Sequence, residues 1–219
     1  KAACFTGEAR FRDLVREYGW ETLSLYIDEL LNYAERRTRE DLKALPEGVY
    51  EFTDYMDDNG FGSNLVPLHV SITVRGDEIT YDFTGTAPQI PGAMNNPLAT
   101  TKAMILIGLR CLISTDIPRN SGVWRPVKTI VPPGTVLNPT MPAAVAGRGL
   151  TLSRLVDVIM GAEAKIAPDK IPACEQGSDF LVCMGFIKNG QIDSILVETI
   201  WGGWGGRPFA DGIDYNTPI

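Results

Sequence analysis

The chain has 219 residues, 44% of them hydrophobic, with 20 basic and 27 acidic side chains and a formal charge of −7. That is enough apolar material for one large core or two small ones. The acidic balance argues against a partner bound through its phosphate backbone, since such affinity rests on clustered Lys and Arg. The longest apolar run, 103–113, is broken by Arg110 and falls well short of the roughly 20 residues that span a bilayer. No nucleic acid, no membrane helix and a cytoplasmic location are therefore expected.

The chain opens in helical register, with no methionine or capping residue ahead of Lys1, and reads as an internal fragment of a larger subunit. Phe11, Leu14, Val15 and Tyr18 recur at helical spacing, and Gly19 stops that helix. A second helix is predicted from Trp20 to Arg39, with Leu23, Ile27, Leu30, Leu31 and Ala34 on one face. Arg36, Arg37 and Arg39 read as a solvated helix end that complements the helix dipole, an anion site being the alternative. Residues 1–45 thus form a helical segment, and 46–219 an α+β core with a glycine-rich C-terminal segment.

After Pro46 the period becomes alternating, with Tyr50, Phe52, Asp54 and Met56 opposed to Val49, Glu51, Thr53 and Tyr55, so a strand is expected. Asp57-Asp58-Asn59-Gly60 is acidic enough to suit a hard cation. A calcium loop, however, needs a glutamate where Leu68 stands, and a tight turn explains the same residues. Strands at 66–74 and 78–83 flank Arg75-Gly76-Asp77, a hairpin turn. His69, the single histidine, falls at the start of the first of these and reads as packing. With one histidine, neither a His-rich zinc site nor an imidazole triad has material.

Residues 81–113 organise the remainder. The strand ends at Phe83, and Gly85, Pro88, Pro91 and Gly92 break it. Asn96 reads as an N-cap with Pro97 at the first helical position. The helix that follows has almost no polar residue from Met104 to Ile113 and is expected to be buried centrally, without a solvent face. A polar loop at 116–122, a strand at 123–131 and the Pro132-Pro133-Gly134 turn come next. The small, flexible piece 142–149 leads to a helix from about Thr151, with Leu152, Leu155, Val156, Ile159 and Met160 on one side. Its first turn, with Arg148, offers an anion site, or its glycines serve close packing.

Strands at 180–187 and 191–199 flank Lys188-Asn189-Gly190, and Asn-Gly supplies the two positive-φ residues of a type I′ hairpin. Glu198, in the second strand, reads as solvent-facing. The closing run 201–212 fits neither a dinucleotide fingerprint nor a phosphate loop. Its glycines can bring backbone amides close to a ligand, with Trp201 and Trp204 as apolar walls and Arg207 and Asp211 as a polar rim. A glycine-rich strand end packed on another backbone accounts for the same residues. Cys4, Cys111, Cys174 and Cys183 form no C-x-x-C pair and are expected to be reduced thiols. The candidate substrate-binding residues are Asn95, Asn120 and Arg148, at loop-to-helix junctions, together with Arg207 and Asp211. The catalytic residues stay unassigned. With no repeating β-α-β rhythm, the fold class is α+β, antiparallel or mixed sheets packed with long helices.

An ordered series of residues carries a family resemblance: Tyr81-Asp82-Phe83-Thr84-Gly85-Thr86, Pro88-Gln89, Gly92, Asn95, Pro97-Leu98 and Leu109-Arg110-Cys111-Leu112. It continues through Asp116-Ile117-Pro118, Asn120, Arg125-Pro126, Asn138-Pro139, Val156-Asp157-Val158, the Gly-Gly-Trp-Gly segment and Asn216-Thr217-Pro218. This series resembles the B-type subunits of ATP-dependent hydantoinases and 5-oxoprolinases, a family that also includes large subunits of acetone and acetophenone carboxylases. The resemblance implies an A-type partner subunit that holds ATP and Mg and phosphorylates a carbonyl oxygen, after which the B-type chain completes hydrolysis of the cyclic amide. It also implies that no cofactor is held by this chain. The metal ligands of metal-dependent members lie in an N-terminal region that this sequence does not include. The expected function is therefore part of a cyclic amide hydrolase acting on a hydantoin-like or 5-oxoproline-like lactam and joined to the remainder of the B-type subunit. A ketone carboxylase segment and a non-catalytic scaffold are the alternatives.

Overall fold

The computed structural model describes residues 1–62, 64–177, 180–200 and 202–214, the side chains of 180, 181, 183, 199 and 200 excepted. The expected Trp201 wall, the Cys183 thiol and the 216–218 motif lie outside the described residues. Helices α1 (Ala2–Tyr18) and α2 (Trp20–Lys43) meet at Gly19, whose φ of 78° suits a residue without a Cβ. α1 buries no residue, and α2 buries only Ala34, Thr38 and Leu42, a stripe at helical spacing on its second half. Because α2 runs on to Lys43, the arginine cluster is not a helix end, which corrects the expectation. Arg39 pairs with Glu35 at 3.0 Å and Asp77 at 3.3 Å, and Arg37 with Asp116 at 3.4 Å. These side chains fasten α2 to the loops beside it.

Four strands, β1 (Gly48–Met56), β2 (Val66–Arg75), β3 (Glu78–Asp82) and β4 (Val127–Ile130), form one sheet in that order. The first two pairings are antiparallel and β3–β4 is parallel, so the sheet is mixed. A parallel pair needs a crossover, which helix α3 (Leu98–Leu112) supplies. Burial alternates along β2 from Val66 to Val74, and the register sets Phe52 opposite Val70 and Ile72 opposite Tyr81. One face is therefore apolar, as the alternation predicts. β4 is shorter than the strand expected over 123–131. Ser121–Trp124 instead forms a 3₁₀ turn, where Asn120 Oδ1 accepts from the Gly122 amide at 2.8 Å. Pro126 then has no N–H to give a ladder, so the strand begins at Val127.

Helix α4 (Arg148–Glu163) covers the apolar face, lying against β1 and β2 and also against α3. Ten of the 16 residues of α4 are buried. The helix without a solvent face is thus α4 rather than α3: Lys102 and Ala103 of α3 are exposed and Leu106, Ile107 and Arg110 half-buried. The capping expectation is also corrected. Pro97, in extended conformation, occupies the N-cap position, and its carbonyl accepts from the Thr101 amide at 3.1 Å. Asn96 Oδ1 takes the Thr100 hydroxyl at 2.6 Å instead of a backbone amide. Strands β5 (Phe180–Lys188) and β6 (Gln191–Ile200) make a separate two-stranded sheet, closed by Asn189 (φ 53°) and Gly190 (φ 76°) as the turn chemistry requires. Both faces of this hairpin expose large apolar residues, among them Phe186, Ile187, Ile192 and Ile195.

One acid sits in the centre of the core. Tyr81 Oη donates to Glu163 Oε1 at 2.8 Å, and both side chains are fully buried. A Cβ at Gly108 would fall 2.7 Å from the Glu163 carboxyl oxygens, so the glycine makes room for the acid. Burial pushes the Glu163 carboxyl up to about 8, against the opposing pull of the Tyr81 hydrogen bond. The folded chain keeps this proton to about pH 8, whereas an unfolded glutamate releases it near 4.5. Stability from this group is full below about pH 4.5 and is lost as pH rises to about 8, by up to ~1.4 kcal/mol per pH unit. Glu163→Gln, neutral at every pH, should flatten that decline. Urea midpoints of both proteins at pH 5, 6.5 and 8 check it.

Candidate functional site

Asp54 lies on the inward side of β1, aligned with Tyr50, Phe52 and Met56. A carboxylate there needs a partner, and α4 provides one. Arg154 Nη1 donates to Asp54 Oδ2 at 2.9 Å and to Asp157 Oδ2 at 3.4 Å, one helical turn along. Asp157, 4% exposed, also accepts from the Glu175 amide at 3.2 Å. Burial pushes its carboxyl up to about 6. The Glu175 amide and Arg154 pull it down, and Asp54 adds to the rise. The result is one cation held between two carboxylates, one of which changes charge close to neutrality.

Two cavities flank this cluster. One, of about 160 Å³, lies between Arg154, Gly177 and the acidic turn at Asp57 and Asp58. The other, of about 230 Å³, is lined by Asp54, Asp157, Phe52, Gly161 and Cys174. Gly177, at φ 76°, has the Arg154 guanidinium where a Cβ would stand. The acidic turn itself is built as expected, with Gly60 N donating to Asp58 Oδ1 at 2.6 Å and Phe61 N to Asn59 Oδ1 at 3.0 Å.

The glycine-rich segment forms a second layer over the cluster. The Ala173 amide donates to Gly206 O, and the Trp204 amide to Ile213 O, each at 2.9 Å. A Cβ on Gly205 would meet Ala173 O, and one on Gly202 the Gln176 side chain. These glycines thus lie against 173–176, the stretch whose Glu175 amide holds Asp157. Trp204 Nε1 is buried, and among the described residues it has no hydrogen-bond partner.

The five residues singled out in the sequence fall in three places. Asn95 is fully buried: Oδ1 accepts from the Ile90 amide at 2.9 Å, and Nδ2 donates to the carbonyls of Ile90, Gly92 and Ala144 at 2.8 to 3.0 Å. It pins the loop before α3 to the loop before α4. Arg148 opens α4, exposed, with Nη1 donating to Val145 O at 3.3 Å, so these two residues share the 144–148 loop. Asn120 stands apart beside α2, where Nδ2 donates to Leu30 O at 3.2 Å. Arg207 and Asp211 are exposed on either side of a turn whose Phe209 is 94% exposed. His69 Nδ1 lies 2.7 Å from Thr53 Oγ1, across the strand pair.

Sequence reading passed over Asp54, Arg154 and Asp157 as a group. The signals were a charged pair at i, i+3 inside an otherwise apolar helix and an acid on the apolar side of an alternating strand. Among the described residues, no group of three or more His, Cys, Asp or Glu is arranged to hold a metal ion. Among the same residues, no helix is long and apolar enough to cross a membrane.

This α+β segment, with a charged cluster between sheet and helix, matches known proteins along its whole length. The chain belongs to the hydantoinase B/oxoprolinase family, whose model it matches over residues 1–219. It is 33% identical to the B-type subunit assigned to a D-/L-hydantoinase in Pseudomonas sp. (strain NS671), across 97% of this chain and 38% of that protein. It is 34% identical to 5-oxoprolinase 1 of Arabidopsis thaliana, across 96% of this chain and 17% of that protein. Among solved structures, the ATP-dependent caprolactamase of Pseudomonas jessenii superposes with a TM-score of 0.86 at 25% identity, over 99% of this chain and 38% of that one. A nucleotide-free acetone carboxylase superposes with a TM-score of 0.81 at 17% identity, over 94% of this chain and 30% of that one, a likeness of fold. The chain thus spans well under half the length of these relatives.

Proposed function

We propose that this chain is part of the B-type subunit of an ATP-dependent cyclic amide hydrolase that opens a hydantoin-like or 5-oxoproline-like lactam. A partner subunit holding ATP and Mg phosphorylates the carbonyl oxygen. The observation that carries this reading is the match of nearly the whole chain to relatives named for cyclic amide substrates, the hydantoinase, the 5-oxoprolinase and the caprolactamase. Chemically the division of labour is sound, because a lactam is a poor electrophile until its oxygen becomes part of a phosphate ester.

Within this chain, the Asp54–Arg154–Asp157 cluster is the group suited to proton handling. Attack of water on the activated carbon needs an acceptor for the water proton, and a base works best with a pKa near the working pH. Asp157, at about 6, meets that condition and lines a cavity. Arg154 fixes its orientation through the bond to Oδ2. Arg207 and Asp211, solvent-exposed beyond the glycine-rich layer, and Arg148, exposed at the start of α4, are proposed to meet the substrate from outside the cluster. A divalent metal, as the resemblance implies, is assigned to no residue of this chain.

The test is turnover by the complete assembly, with a panel of lactams and ketones and with ATP and bicarbonate each withheld in turn. ATP-dependent, bicarbonate-independent ring opening is the expected result. Ketone turnover that requires bicarbonate would make the chain a carboxylase segment. Unchanged turnover by an assembly lacking this segment would make it a scaffold.

A further inference from the structure

The outward side of α3 and the 3₁₀ turn at 121–124 enclose a groove that the cluster described above does not use. Two adjoining cavities of about 650 and 520 Å³ share Ala103, Leu106 and Trp124, so the groove runs along the helix, past Val127 and Thr129 of β4. β4 is the last strand of its sheet. The Ile79 amide donates to Pro126 O at 3.1 Å and the Phe83 amide to Ile130 O at 2.9 Å. Alternation along the strand then turns the N–H and C=O groups of Val127 and Thr129 away from β3. Among the described residues, no strand pairs with that edge.

Charge adds a second, independent observation. Lys102, Arg110 and Arg119 rim the groove, and Lys128 projects from β4. Among the described residues none of the four pairs with a carboxylate; Arg110 donates only to the carbonyls of Thr115 and Ile117, at 3.1 and 3.2 Å. In a chain of net charge −7, this is a local excess of cations over an apolar floor. An open edge strand invites pairing with another chain, and a lysine on it disfavours all but an acidic neighbour.

We propose that the groove seats an extended strand of a partner subunit, paired to the free edge of β4. Its side chains toward the groove are apolar where they pack on Leu106 and Trp124 and acidic opposite the rim, and an acidic side chain on its other face meets Lys128. The mode is strand addition, where backbone bonds give affinity and alternate side chains give selectivity. The inference rests on the reading that this chain works within a hetero-assembly.

A photo-cross-linking amino acid placed at Ala103 in the assembled enzyme, followed by mass spectrometry of the product, identifies the occupant. The expected product joins this chain to an alternating apolar and acidic segment of a different polypeptide. Thr129→Pro, which removes an edge donor without touching the β3 ladder, should weaken retention of that polypeptide about 10-fold, a loss of one edge hydrogen bond and its neighbours. Thermal unfolding of the isolated variant separates this from misfolding, and Lys128→Glu provides the same test without a proline. A cross-link to another part of the same polypeptide, a cross-link to a second copy of this chain, a cross-link to a basic or helical segment, or retention unaffected by both variants would overturn the proposal. An assembly that cross-links as expected yet opens no lactam would sink the functional reading and leave the groove standing.

Discussion

Gly122→Ala should be among the most damaging single-methyl changes in the chain. The added Cβ would meet the carbonyl oxygen of Leu31 and lie 2.9 Å from both its carbonyl carbon and Asn120 Oδ1. The obstacle is backbone from the middle of α2, not the end of a flexible side chain, so it cannot step aside. Relief requires α2 to move off the 3₁₀ turn. That motion breaks the Asn120 bond to Leu30 O and strains the Arg125 pair with Glu35 at 3.0 Å. Overpacking of this kind costs about 3 kcal/mol. Urea unfolding measures it, and Gly62→Ala, where a Cβ meets nothing within 4 Å, serves as the control. An unchanged midpoint for Gly122→Ala would mean that α2 is not held at this junction.

Asp157→Asn should lower ring opening by the assembled enzyme by about 10²-fold or more, the range for loss of a positioned proton acceptor. The amide keeps the shape of the side chain and its acceptor for the Glu175 amide, but it cannot take a proton. In the parent enzyme, activity should rise with pH through a limb near 6, as Asp157 ionises. The limb should vanish in the variant. Asp54→Asn should have a smaller effect, because Arg154 keeps its bond to Asp157 at 3.4 Å. If Asp157 only packs α4 against the sheet, the variant will unfold more easily while turnover per folded molecule and the pH limb persist.

The parts of the fold that were legible in the sequence are those decided over a few residues. Asn189 and Gly190 announce a hairpin because few other residues accept positive φ at two successive positions. The alternation along β1 and β2 survives intact because one side of the sheet is buried. The failures came where distant residues decide. Asn96-Pro97 has the composition of a cap, yet Asn96 Oδ1 accepts the Thr100 hydroxyl while Nδ2 donates to Thr101 Oγ1, and the helix starts a residue later. Periodicity could not say which of two apolar helices lies deeper, since that depends on the sheet reaching α4. Asp54 and Arg154 are 100 residues apart in sequence. Each stretch carries a charge out of place on an apolar side, but neither says which distant residue it meets, although the family itself was legible from scattered motifs along most of the chain.

The position of α4 has a consequence for synthesis. A nascent chain that has emerged as far as residue 130 already carries all four strands of the main sheet, but the segment that covers β1 and β2 still lies ahead of it. Until residue 163 leaves the ribosome, Val66, Leu68, Val70 and Ile72 have no helix over them, and a stalled or truncated product would present that bare sheet to chaperones.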